Sequence, residues 1–402
     1  MNAARSAIII LLLLAGEMLA QPATLPTDLP LVMLEASGTL GNQQRVPCKF
    51  RLVPPGSDAS TGIIEARGAV RYRGATSLIY PKKSFAVTLD QATPLLEMPA
   101  RRQWILNAAY IDRSMMRHKL SYDLFRSIST PDRPRYAAES RFVELHLNGR
   151  YHGVYLLMER IDRQLLNLEK FLPGDKAHAC LYKAISHDAG FVRNDHAGYE
   201  QQEPEPAELT YWEPLHSLNR LIVSAPPEEF ATRIGEHLDI DSAIDFHLLV
   251  LVTGNADGIT KNYYLARRRP AADGNATFFF VPWDYDGTFG RNWNATPLPH
   301  EMWLSNHLFN RLLNLPEYRR RFAERWKQLR GRQFSTANIQ AMIDANAAAI
   351  RPAMERNTAR WPTDNPHYPD RITFEQDVQQ MKQWVERRVI WLDAFMRQWQ
   401  TG

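Results

Sequence analysis

Hydrophobic and polar positions change their period once along the 402-residue chain. Up to about residue 160 the period is two, which fits strands with one buried face. In 84–89, Phe85, Val87 and Leu89 alternate with Ser84, Ala86 and Thr88. Segments 31–53, 63–72 and 104–109 carry further strand-like runs. The clearest strands are 142–147 and 151–158, joined by Asn148-Gly149, a strong two-residue hairpin signal. On the first, Val143, Leu145 and Leu147 are expected to face a core, and Glu144 and His146 the solvent. Asp112 is placed to cap a helix running to about Ile128, with Met115, Met116, Leu120, Leu124 and Phe125 near helical spacing. From Ile161 the pattern lengthens. Segments 162–171, 212–223, 226–238 and 240–252 read as helices. Near the C-terminus Phe374, Val378, Met381, Val385, Val389 and Leu392 keep a helical period. Residues 174–210 are polar and rich in Gly, His and acids, and read as an insertion or mobile loop. The fold class expected is α+β. An extended or strand segment (21–62) precedes a β-rich half (63–160), and a mainly helical half follows (161–402).

Composition narrows the function classes. With 45% hydrophobic and 23% charged residues the chain can bury a core. A net charge of +4 is small for this length and argues against nucleic acid as a partner. Residues 1–20 read as a secretory signal: Arg5, then an apolar core over 7–15, then Met18-Leu19-Ala20 as a cleavage site. That core is short for a transmembrane helix, though an uncleaved anchor stays open, and no later stretch is apolar enough to span a bilayer. The expected location is secreted, periplasmic or at the cell surface. Cys48 and Cys180, the only two cysteines, make either one disulfide or two free thiols. No H-E-x-x-H and no G-x-S-x-G occurs, so the zincin and α/β-hydrolase readings lack their central residues.

The chemistry concentrates in 255–290. Two strand-like runs there, 263–269 and 276–283, flank a turn-rich link and predict a hairpin. Its open ends would bring Asn262 beside Asp284, with Asp257 one loop away and Asp286 just behind. These are hard oxygen donors suited to Mg2+. Asp257 and Asn262 also have the D-x-x-x-x-N spacing of a kinase catalytic loop. Taken alone, the spacing equally fits ordinary turn formers. In the β-rich half Lys83 begins a strand after the small-residue turn Arg73-Gly74-Ala75-Thr76-Ser77. Lys83 shares parity with Phe85, Val87 and Leu89, which favours it over Lys82 as a phosphate-contacting lysine. Arg73 and Ser77 are softer phosphate candidates.

Five blocks carry a resemblance: RGATSLIYPKKSFAV, WILNAAYIDRSMMRHKLSYDLF, RFVELHLNGRYHGVYLLMERI, GNADGITKNYYLAR and VPWDYDGTFG. In this order they resemble the CotH kinase family, the spore-coat CotH proteins and their relatives. The resemblance implies a two-lobed, atypical protein-kinase-like fold with a β-rich N-lobe and a mainly helical C-lobe. It implies transfer of the ATP γ-phosphate to Ser or Thr hydroxyls of a protein substrate, with Mg2+. By position, Asp257 resembles the catalytic-loop Asp, and Asn262 a metal ligand. Asp284 or Asp286 resembles the metal-binding Asp, and Lys83 the phosphate-contacting lysine. The segment at Met158 and Glu159 would meet the adenine. Two departures stand out. The 112–128 segment has no Glu to pair with Lys83, and Ala75-Thr76 replaces the more usual Asn-Ser. They keep open a second reading, a surface or binding protein with a weak or inactive site.

Overall fold

Alternation in the first half closes on itself. The computed structural model describes residues 28–56, 62–270, 276–362, 364 and 371–399. The signal-peptide reading therefore lies outside the described residues. Seven strands form a closed barrel: β1 (Leu31–Ala36), β2 (Val46–Val53), β3 (Ile64–Arg73), β4 (Ser84–Leu95), β5 (Met98–Asn107) and, after helix α1 (Arg117–Ser127), β6 (Ser140–Leu147) and β7 (Arg150–Glu159). Neighbours run antiparallel except at the seam, where β6 pairs with β1 in parallel. Closure leaves no edge strand to template aggregation. Val32, Leu34, Phe50, Val70, Phe85, Val87, Val143, Leu145 and Tyr155 fill the interior. Asn148 and Gly149 turn the β6–β7 hairpin at φ 50° and 75°. Two consecutive positive φ values are what a tight hairpin turn needs, and what Asn-Gly tolerates best.

The second part holds β8 (Cys180–Ala184), β9 (Tyr199–Glu203), helices α2 (Glu213–Ser224), α3 (Pro227–His237) and α4 (Ile240–Thr253), and strands β10 (Tyr263–Arg267) and β11 (Phe278–Pro282). Helices α5 (His307–Leu313), α6 (Pro316–Arg330), α7 (Thr336–Arg360) and α8 (Phe374–Arg397) complete it. The chain is thus mixed α+β, with a β-rich N-terminal part and a largely helical C-terminal part. A second sheet, ordered β11-β10-β8-β9, stands within the helical part. The expected hairpin is there: β10 and β11 pair antiparallel, from Tyr263 opposite Pro282 to Arg267 opposite Phe278.

Several expectations need correction. Residues 174–210 contain β8 and β9 rather than loop alone. Cys180, Leu181, Tyr182 and Ala184 are buried there, a run too short for its period to show in polar surroundings. Residues 162–171 form turns without a helix, and Asn167 ends them at φ 51°. Asp112 lies outside α1, which starts at Arg117. Its carboxylate still accepts from the Ser114 and Arg117 amides, each within 2.9 Å. Glu144 is buried, not solvent-facing, because α7 covers that side of the barrel. Arg356 of α7 pairs with it at 2.9 Å, and the Tyr151 hydroxyl donates to it at 2.8 Å. Both cysteines are free thiols, on β2 and β8.

Trp384 of α8 fixes both ends of the 255–290 stretch. Gly254 closes α4 in the left-handed region at φ 68°, and a Cβ there would lie 2.7 Å from the Trp384 ring. A Cβ on Gly290, at φ 92°, would lie 2.8 Å from the same ring. Only glycine meets both the backbone and the space requirement.

Candidate functional site

Six of the eight predicted site residues meet in one cleft. Arg73, Ser77, Asp257, Asn262, Asp284 and Asp286 line a cavity of about 520 Å³ between the barrel and the second sheet. The barrel contributes the ends of β3 and β5, the start of β4 and Met158 of β7. Helix α1 adds His118 and Tyr122, and β8 adds Lys183. The turn after β3 needs Gly74, at φ 128°, because a Cβ would collide with Ser77 Oγ at 2.1 Å.

Local structure sets the acids. Asp239 caps α4 by accepting from the Ser242 amide, and α4 runs apolar to Gly254. In the loop that follows, buried Asn255 accepts from the Gly258 amide at 2.8 Å and so shapes the turn that presents Asp257. Asp257 is ion-paired with Lys261 at 3.0 Å. The Asn262 backbone accepts from the Trp283 amide at 3.1 Å, continuing the hairpin register and leaving Asp284 next in line. Asn262 and Asp284 sit at φ 59° and 58°. Such values are uncommon outside glycine but easiest for Asn and Asp.

Helix α1 holds the acidic turn from behind. The Tyr285 amide donates to His118 Nδ1 at 3.0 Å, and the Asp284 amide donates to the Tyr122 hydroxyl at 3.0 Å. His118, Asp284 and Asp286 each bring one donor atom within 4.8 Å of the others. Because Nδ1 accepts from a backbone amide, the neutral ring carries its proton on Nε2, which lies 3.8 Å from Asp284 Oδ1. The ring therefore points a donor at that carboxylate rather than a lone pair at an ion. Burial lowers the His118 pKa, against the pull of Asp284 and Asp112.

Asp286 is the most perturbed acid. Burial first, then the charges of Asp284, Asp112 and Asp257, push its carboxyl well above the usual carboxylate range. A cation bound beside this half-buried acid would offset the charges that crowd it. The oxygen donors of Asn262, Asp284 and Asp286 fit a hard divalent ion such as Mg2+.

The two other predicted residues lie elsewhere. Lys83 does not line the cleft, and its ammonium donates to Leu78 O. Lys82 lines the cleft instead. It is 2% exposed, donates to Val154 O, and stands 4.7 Å from the centre of the Tyr155 ring. Burial lowers its pKa well below the usual value. Strand parity failed because the strand entry bends. Glu159 is occupied away from the cleft by Arg101 at 3.2 Å and the Glu139 amide at 3.1 Å.

Sequence reasoning missed Lys261, His118 and Lys183. Lys261 was legible as an i,i+4 partner of Asp257. His118 lies one helical turn before Tyr122, on the face that turns to the cleft. Lys183 carried no local signal, since it stands in the polar stretch.

Residues 70–392 match the family described as CotH kinase protein. The chain is 27% identical over 296 residues to the inner spore coat protein H of Bacillus subtilis, covering 70% of this chain and 76% of that protein. It is 22% identical over 280 residues to spore coat protein homolog 1 of Rhizopus delemar, covering 66% of this chain and 44% of that one. The family match runs from β3 through the cleft to Leu392 on α8, and so includes every cleft residue named above. The chain belongs to the CotH kinase protein family.

Proposed function

We propose that this protein is an exported phosphotransferase. It passes the γ-phosphate of ATP to Ser or Thr hydroxyls of a protein, using Mg2+, within a two-lobed kinase-like frame. One observation carries the reading: Asp257, Asn262, Asp284 and Asp286 converge in a single cleft that Arg73 and Ser77 also line. Asn262, Asp284 and Asp286 would hold the ion, which when bound offsets the charge of the donor phosphates. Asp257 accepts the proton of the acceptor hydroxyl. The acceptor oxygen then bonds to the γ-phosphorus as the bond from that phosphorus to the β–γ bridging oxygen breaks, and ADP leaves. The proton passes from Asp257 to solvent. Met158 of β7 lines the same cleft and would meet the base.

The test is incubation with Mg-ATP and a casein-type acceptor, with mass spectrometry for new phosphosites. Asp257→Ala should lower incorporation roughly 10²–10⁴-fold, the range for a positioned proton acceptor, and Asp284→Ala should lower it by removing a ligand of the ion. Equal incorporation by the parent and both variants would sink the reading. A second reading, a surface-binding protein with a silent site, is favoured by the Asp257–Lys261 ion pair and by the Lys83 ammonium binding Leu78 O rather than a Glu. It expects no phosphosites with any acceptor.

A further inference from the structure

Five cations line the cleft, and their partners separate them. Arg71 donates to Asn42 O at 2.9 Å. Lys82 is engaged by Val154 O and by Asn357 Oδ1 at 3.3 Å. Lys261 is held by Asp257 at 3.0 Å. Arg73 and Lys183 have neither a hydrogen-bond acceptor nor an ion pair among the described residues. Arg73 lies 5.6 Å from the centre of the Trp283 ring, which is a packing contact rather than a neutralising one. Both groups feel the charge of Asp284, so they stand on the acidic side of the cleft.

Both side chains are half-buried and neither makes an ion pair among the described residues, although Asp284 attracts both and Glu200, opposite Lys183 on β9, attracts Lys183. Burial lowers the pKa of both, and Arg73 adds to the shift at Lys183. An anion placed between them would pair with both. It must be multiply charged, since two cations face it, and it must sit beside an acid-held divalent ion. A phosphate chain meets both conditions. We infer that Lys183 on β8, together with Arg73 at the end of β3, is the seat of the donor's phosphate groups. The phosphate lysine thus comes from the second sheet and not from the barrel. This rests on the phosphotransfer reading for the identity of the donor, but the anion site stands or falls by binding alone.

Lys183 reaches this place by pairing. In β8 it lies opposite Tyr264 of β10, the second residue after Asn262. The strand that follows the metal-ligand candidate therefore fixes the lysine's register. Phosphate groups held by Lys183 would lie on the Asn262 side of the cleft, where the ion is expected.

The probe is inorganic tripolyphosphate with Mg2+, titrated calorimetrically into the full chain. Lys183→Met should weaken binding about ten- to a hundredfold, the loss expected for one charge-assisted hydrogen bond. Lys183→Arg should recover most of it. Thermal unfolding of both variants checks the fold. A second measurement needs no variant: amine acetylation of the parent chain, read by mass spectrometry. Tripolyphosphate should protect Lys183 and leave Lys49, whose side chain is 77% exposed, unaffected. Unchanged affinity in Lys183→Met, absent protection, or no binding by the parent would each overturn the inference. Lys183-dependent binding without phosphosites would instead refute the kinase reading and leave the anion site standing.

Discussion

Replacing Arg117 with Met is the sharpest test of how this fold supports its cleft. The guanidinium is fully buried and joins three parts of the chain. Nη1 and Nη2 bind Asp377 of α8 at 2.6 and 2.9 Å. Nη1 also binds Asp112, and Nε donates to Thr288 O at 2.9 Å, just past the acidic turn. Burial alone would lower the Arg117 pKa, but Asp377 and Asp112 outweigh it and raise it. Met fills similar space but leaves both carboxylates without their cation. Asp112 keeps its bonds from the Ser114 amide and hydroxyl and the Arg117 amide. Asp377 loses both close bonds and, among the described residues, keeps only Arg291, 3.7 Å away. Breaking one side of a buried pair costs about 3–5 kcal/mol, and most of it here falls on Asp377. Urea unfolding followed by tryptophan fluorescence measures the loss by linear extrapolation. Adding Asp377→Asn to Arg117→Met should recover about half, because a neutral amide has no charge to desolvate. A loss under about 1 kcal/mol for the single change, or no recovery in the double, would refute this account. The freed Thr288 carbonyl should also weaken Mg2+ binding in the single variant, read by calorimetry.

Other outcomes follow from the same reasoning. Lys83→Ala should change nucleotide affinity less than about twofold, since that ammonium binds Leu78 O outside the cleft, whereas one phosphate contact is worth about tenfold or more. Fluorescent-nucleotide titration decides it. Gly254→Ala should cost about 1–3 kcal/mol, from a left-handed backbone and a clash with Trp384, measured by the unfolding midpoint. Acid should destabilise the chain through His247. Burial lowers its pKa from 6.5 to about 4; Nε2 donates to Leu304 O at 2.7 Å, and Nδ1 has no partner among the described residues. The unfolded chain takes up this proton first as pH falls from 6.5, so stability is full above 6.5 and is lost down to about 4. The loss is on the order of 3 kcal/mol at 1.36 kcal/mol per unit. His247→Leu should flatten that part of the stability–pH curve.

Sequence alone determined what depends on neighbours along the chain. The β6–β7 turn was legible because Asn-Gly states its own backbone geometry. The 263–283 hairpin was legible from two apolar runs around a polar link, and it brought Asn262 to Asp284 without any tertiary knowledge. A continuous apolar run also found α4, and a helical period of apolar residues found α8. Other features depended on partners distant in the chain. Glu144 alternates like a solvent residue, yet Arg356, 212 residues later, makes it a buried one. Lys82 and Lys83 cannot be separated by parity where a strand entry bends, and only the surrounding barrel assigned Lys82 to the cleft. Lys183 sits in a polar stretch, and its place is set by pairing with β10. Local sequence fixes backbone conformation because its energy is short-ranged. The charges a group faces depend on which distant elements pack against it, and that only the tertiary structure decided.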